Sequence, residues 1–120
     1  MTPEDQQKAD DLAKAIRGLA DVFIGRIPAT LSNMSDEMSA IEQDPQNLAP
    51  WKTLHRHLHS VAGSAGTFGY DELGDRAREL EHRINDMIKG SIVPTDEFRT
   101  TFIQDQRSFM AWVVEHYISN

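Results

Sequence analysis

Apolar residues recur along the chain at alternating spacings of three and four, which is the pattern of an amphipathic helix. The first stripe comprises Leu12, Ile16, Leu19, Phe23, Ile27, Leu31, Met34, Met38 and Ile41. Pro28 interrupts this stripe, and a proline inside a helix removes a backbone hydrogen bond. We therefore expect either a kinked helix or two helices that meet near this residue. Residues 42–50 form the predicted connection to the next element.

Three further stripes follow, and strand signals are nearly absent. Apolar positions from Trp51 to Phe68 predict a second helix, and those from Leu73 to Met87 predict a third, which begins near Asp71 and ends at Gly90. Residues 91–98 are predicted to start the last helix, with Thr95 as its N-cap. The stripe of this helix has a polar gap around Asp105 and Gln106, and its apolar members include Phe98, Phe102, Phe109, Trp112 and Val113.

Four amphipathic helices with short connections predict an all-α fold, an up-down-up-down antiparallel four-helix bundle with an N-terminal helical extension. We expect a single domain over residues 1–120, in which residues 1–20 form the extension and residues 21–119 form the bundle. A bundle by itself implies no function.

Composition narrows the function classes. The 120 residues carry a formal net charge of −7, which argues against a nucleic-acid partner. No apolar run approaches the roughly 20 residues needed to cross a bilayer, so we expect no membrane association and a cytoplasmic protein. There is no cysteine, which excludes disulfide and thiolate chemistry.

The charge is unevenly distributed. Residues 45–70 contain no Asp or Glu but include Lys52, Arg56 and three histidines. In an acidic protein, such a neutral-to-basic segment is a candidate contact surface for an anionic partner. The alternative is an ordinary fluctuation of composition in a short window.

Glycines interrupt the second predicted helix, although each costs about 1 kcal/mol relative to alanine in a helix. On a helical projection, His59 lies about 130° from the apolar stripe, on the solvent side. Gly63 and Gly66 share that side, and so do Lys52, His55 and Arg56. Glycines there leave room for the backbone of a partner or for a phosphoryl group to approach the imidazole.

An exposed imidazole is suited to carrying a phosphoryl group, because its neutral nitrogen is nucleophilic near pH 7. The chain has no phosphate-binding loop and no nucleotide fingerprint, so the phosphate must come from a partner protein. A metal site is the alternative, since His55 and His59 are four residues apart and Glu81 or His82 could approach them. No carboxylate lies close to them in sequence, and we predict no metal ligand.

Residues 59–81, "HSVAGSAGTFGYDELGDRARELE", resemble the signature of histidine-containing phosphotransfer (HPt) domains. The matching positions are Gly63, Ser64, Gly69, Leu73, Ala77, Leu80 and Glu81. With the flanking helices, the resemblance extends over roughly residues 20–118. It implies a phosphorelay protein in which His59 accepts a phosphoryl group from a receiver-domain aspartate or a kinase and passes it to a receiver domain.

The resemblance also implies the partners, which are the receiver domain of a response regulator, a hybrid sensor histidine kinase, or both. It implies a phosphoryl carrier without ATP-binding or kinase activity of its own. We expect a monomer without a cofactor, and Mg²⁺ only in the partner receiver domain.

The chain departs from the family pattern at one position. The family usually has a lysine three residues after the phosphorylated histidine, where this chain has Ala62. A cation there would screen the phosphoryl charge, and Arg56, Lys52 or His55 is a candidate to replace it. The missing lysine leaves open an adaptor that docks receiver domains without transferring phosphate. The spacing of His55 and His59 leaves open a metal-binding helical bundle.

Overall fold

The computed structural model describes residues 2–90 and 94–118. Within these residues it contains no strand and four α-helices: α1 (Pro3–Gln43), α2 (Leu48–Thr67), α3 (Asp71–Ile88) and α4 (Asp96–Val113). A π-helical segment, Val114–Ile118, continues α4. The all-α bundle expected from the four stripes is confirmed.

Helix α1 runs without a break from the N-terminal extension into the bundle. Thr2 caps its start, because its hydroxyl accepts a hydrogen bond from the Asp5 amide. A straight helix of 41 residues is about 61 Å long, and the longest dimension of the molecule is 61 Å. The expected alternative of two helices that meet near Pro28 is wrong. Pro28 lies on the exposed side of α1, where water can replace the hydrogen bond that the ring removes.

Helices α2 and α3 form a closely packed antiparallel pair. A Cβ atom added at Gly74 on α3 would lie 3.3 Å from the Ala62 carbonyl oxygen and 3.5 Å from the Ala65 Cβ on α2, so the two backbones approach tightly there. The turn between the helices needs Gly69, whose φ of 83° is in the left-handed region. The Tyr70 amide donates to the Ala65 carbonyl at 2.8 Å and closes the turn. Residues at equal distances before and after this turn therefore face each other.

The register of α4 differs from the expected one at its centre. Phe102, Phe109 and Val113 are buried as expected, and Phe98 and Trp112 are half-buried. Gln106, expected in a polar gap, is fully buried, and its side-chain amide donates to the Met34 sulfur at 3.4 Å. Its neighbour Asp105 stays exposed and pairs with Arg83 at 2.8 Å. The helix thus turns one of the two polar residues into the core.

The boundaries of α3 and α4 follow local chemistry. Gly90, with a φ of 83°, follows the end of α3. Thr95 is the N-cap of α4, and its hydroxyl accepts from the Phe98 amide at 3.0 Å. The predicted start of this segment at residues 91–93 lies outside the described residues.

Candidate functional site

Helix α2 holds His59 on the side that faces away from the core. The preceding residue, Leu58, is fully buried, whereas 72% of the His59 side chain is exposed. Gly63 and Gly66 are exposed on the same helix, and a Cβ atom added at either would meet nothing within 4 Å. The surface beside the imidazole is therefore open, and the fold does not require glycine at these two positions.

A carboxylate from the next helix holds the His59 ring. The His59 Nδ1 atom lies 2.6 Å from Glu81 Oε1, and only 12% of the Glu81 side chain is exposed. His59 is eleven residues before Tyr70 in the turn and Glu81 is eleven after it, so antiparallel packing brings them together. An ionised carboxylate only accepts hydrogen bonds, so the neutral imidazole that fits this contact carries its proton on Nδ1 and has its lone pair on Nε2.

His55 shares the same carboxylate. Its ring stacks on that of His59 with 6.2 Å between centroids, and its Nε2 atom lies 3.8 Å from Glu81 Oε1. Only a quarter of its side chain is exposed. Because Glu81 is much closer to His59, its main effect is to orient that imidazole.

These side chains line one open groove of about 500 Å³ between α2 and α3. Helix α2 contributes three residues that the sequence analysis selected, and α3 contributes three more: His55, Arg56, His59, Glu81, His82 and Asn85. Glu81 was expected as a match to the family signature and as a possible metal ligand, and His82 only as a possible metal ligand, whereas Asn85 was not expected in the site. The sequence does contain a signal for Glu81. Gly74 and Glu81 are seven residues apart, so they lie on one face of α3, the face that packs against α2 at Gly74.

The other predicted binding residues are placed differently. Lys52 and Arg56 are exposed on α2, and Arg56 donates to the Thr53 hydroxyl at 3.1 Å. Ala62 is only 2% exposed, because it packs in the α2–α3 interface rather than beside the imidazole. A lysine at this position would have to extend out of the interface to reach the groove.

The remaining histidines have other surroundings. His57 is half-buried and faces a small cleft on the α1 side of α2. His116 is exposed and packs against Trp112 in a tilted arrangement with 4.7 Å between ring centroids. Although Glu81 contacts two histidines, residues 2–90 and 94–118 contain no group of three His, Asp or Glu side chains arranged to hold a metal ion.

The arrangement can perform nucleophilic chemistry at one atom. The His59 side chain is 72% exposed, and in its neutral form the Nδ1 proton is held by a carboxylate while Nε2 has the lone pair. A similar hydrogen bond orients the histidine of serine-protease triads and stabilises the positive charge that develops on it. The groove thus offers an oriented nitrogen nucleophile beside an open helical surface.

Four packed helices form a helical bundle, as in phosphotransfer domains. The family model of the Hpt domain matches residues 18–107, which is most of the chain, and the protein belongs to this family. It is therefore a phosphotransfer domain of two-component signalling. Hpt domains carry phosphoryl groups and interact with receiver domains and kinases.

Among the helices of the described residues, none combines the length and the apolar character needed to cross a bilayer.

Proposed function

We propose that His59 is the phosphoryl acceptor of this domain. It receives the group from an aspartyl phosphate of a receiver domain or from a kinase partner, and it passes the group to a receiver domain. The observation that carries the proposal is the contact of 2.6 Å between His59 Nδ1 and Glu81 Oε1 on an imidazole that is 72% exposed. With the proton on Nδ1, the neutral ring has its lone pair on Nε2.

The transfer from an aspartyl phosphate balances without an added acid or base. Nε2 attacks phosphorus, an N–P bond forms, and the bond between phosphorus and the carboxylate oxygen breaks. The aspartate leaves as a carboxylate, and Nδ1 keeps its proton throughout. The imidazole ring thereby becomes positively charged, and the Glu81 carboxylate beside Nδ1 balances this charge. The reverse sequence returns the group to a second receiver domain.

In this proposal the partner proteins supply the phosphoryl group and hold the Mg²⁺ ion. The chain acts in this proposal as a cytoplasmic carrier that binds no ATP, no cofactor and no metal of its own. Mg²⁺ belongs to the active site of the receiver domain. Membership of the family implies that this site is a cluster of acidic residues. That acidic cluster would repel a protein of net charge −7 unless the contact surface were locally different.

The exposed side of α2 provides such a surface. Residues 45–70 contain no acidic residue, and Lys52 and Arg56 are exposed on the same helix as His59. Gly63 and Gly66 add a stretch without side chains next to the imidazole. Association with a receiver domain should therefore weaken with rising salt, because exposed charges are screened beyond about 10 Å at 0.1 M ionic strength.

The proposal is tested by incubating the chain with a phosphorylated receiver domain and Mg²⁺. We expect the label to move to the chain as an acid-labile, base-stable adduct, which is the behaviour of phosphohistidine. Binding of the receiver without transfer of the label would contradict the carrier role and support the docking adaptor.

Gly63 offers a test of the open surface. We expect Gly63→Leu to weaken receiver binding about tenfold or more, because the new side chain covers the approach to His59 one helical turn away. The fold should not lose stability, since the added Cβ meets open space and leucine gains up to about 1 kcal/mol of helix propensity over glycine. The measurements are binding affinity by titration and thermal unfolding.

Gly63→Ala is the matched control for this test. It supplies a similar gain in helix propensity but adds only a methyl group, so it should retain most of the binding. Equal binding by the leucine variant and the original chain would show that the glycine surface is not the docking surface.

A further inference from the structure

The N-terminal half of α1 carries an apolar face that the bundle does not cover. Leu12, Ile16 and Leu19 lie within about 60° of one another around the helix axis, and they are 62%, 45% and 59% exposed. Val22, at the edge of this face, is 50% exposed. We call these four residues the α1 stripe. A contiguous exposed apolar surface of this kind marks an interaction site more often than an ordinary surface.

The α1 stripe continues the face by which α1 packs in the bundle. Phe23 follows it on the same side and contacts Phe68 and Tyr70, with ring centroids 5.9 and 6.0 Å apart. Ile27 and Leu31 then enter the core. The chain thus uses one apolar face along the whole of α1, and the bundle covers only the part from Phe23 onward.

We propose that the α1 stripe pairs with the α1 stripe of a second copy of this chain, in an antiparallel arrangement around a two-fold axis. This inference does not rest on the proposed phosphoryl transfer. It revises the monomer expected from the sequence, which would leave the stripe exposed.

The position of the bundle selects the antiparallel arrangement. Helix α2 packs on the face of α1 that carries the stripe, beginning at Phe23. A second α1 running parallel and in register would occupy the space that α2 fills. An antiparallel helix can instead run along the stripe until it reaches the level of Phe23, where Phe68 and Tyr70 cover α1.

Because the second helix can extend only as far as the level of Phe23, the approximate register of the two α1 helices is determined. Placing Asp5 of one copy level with Phe23 of the other brings Leu12 of each copy level with Ile16 of the other. The alternating apolar positions then interleave as they do in an antiparallel coiled coil.

Charge complementarity supports the same register. The first turn of α1 contains Glu4 and Asp5. In the antiparallel pair these carboxylates lie within about one helical turn of the exposed Arg26 of the other copy. By symmetry the contact occurs at both ends of the interface. Groups of opposite charge therefore lie near each other at both ends of the helix pair.

The experiment measures the mass of the full chain by sedimentation over micromolar to millimolar concentration. Because the interface is short, we expect a weak dimer whose fraction rises with concentration. Ile16→Gln combined with Leu19→Gln should remove the dimer, because both changes place amides in the apolar seam. A chain that stays monomeric throughout this range, or a dimer that survives this double variant, would overturn the proposal.

Lys14→Gln combined with Asp21→Gln is the matched control. Both residues lie on the opposite side of α1, and the double change also introduces two glutamines while the net charge stays the same. This control should dimerise like the original chain. Equal loss of the dimer in the control and in the seam variant would place the interface elsewhere and contradict the proposal.

Single cysteines test the direction of the helices, since the chain contains no cysteine. Ala15 lies beside the proposed two-fold axis, so Ala15→Cys should form a disulfide-linked dimer under mild oxidation. The two Asp5 positions would be about 27 Å apart along the helices, far beyond the reach of a disulfide. Asp5→Cys should therefore remain unlinked, and the opposite result would indicate parallel helices and refute the arrangement.

Discussion

His59→Gln should abolish labelling of the chain by a phosphorylated receiver domain. Glutamine retains a polar side chain at the same exposed position, but its amide nitrogen is not nucleophilic and cannot form the N–P bond. The side chain is 72% exposed and its ring contributes nothing to the core, so the variant should remain folded. The measurement is transfer of radiolabel, with circular dichroism to verify the helical fold.

His55→Gln and His57→Gln are the matched controls on the same helix. His55 lines the same groove but is three-quarters buried, and His57 faces the α1 side of α2. Both variants should keep the label. A label that persists in His59→Gln, or one that is lost only in His57→Gln, would assign the phosphoryl group to another histidine.

The helices of this protein could be predicted from the sequence because each buries one apolar face. The stripe from Leu73 to Met87 illustrates this, since all five of its apolar positions are buried in α3. The same reasoning was wrong at two residues whose position in the fold outweighs the usual preference of their type, proline for helix breaks and glutamine for the surface. Pro28 is tolerated because it faces water, and Gln106 is buried because its position in the helix turns it toward Met34.

The candidate site could be predicted only in part. Periodicity placed His59 and the two glycines on the exposed side of α2, and they are exposed there. Periodicity within one helix says nothing about what the neighbouring helix contributes, so the hydrogen bond to Glu81 was missed. Ala62, three residues after His59, stands where the family usually has a lysine that would screen the phosphoryl charge. The rotation between the two positions is enough to turn its methyl group into the α2–α3 interface.

The spacing around the turn would have recovered Glu81. A short connection between antiparallel helices makes residues at equal distances from it face each other, and Gly66 and Gly74 illustrate this near Tyr70. His59 and Glu81 are the corresponding pair eleven residues from Tyr70. This spacing rule predicts a carboxylate beside the histidine.

Glu81 is a positioning residue in the proposed transfer, because it acts through His59. Glu81→Ala should slow phosphorylation of His59 by on the order of tenfold to a hundredfold, the range typical of removing the carboxylate that orients a metal-ligating histidine. Two effects combine. The Nδ1 proton is no longer held, so the ring can adopt the tautomer in which Nε2 carries the proton, and the positive charge of the phosphorylated ring loses its nearest anion.

A measurement of the His59 tautomer distinguishes this positioning role of Glu81 from a merely structural role. In the original chain, the nitrogen chemical shifts of His59 should report a proton on Nδ1, and in Glu81→Ala they should move toward the form protonated on Nε2. Glu79→Ala is the matched control, since Glu79 is exposed on the same helix and lines a different cleft, beside α4. It removes the same charge but should change neither the tautomer nor the rate. If Glu81→Ala left both unchanged, the hydrogen bond between the two helices would have no part in preparing the nucleophile, and the imidazole would have to be oriented by the docked receiver domain.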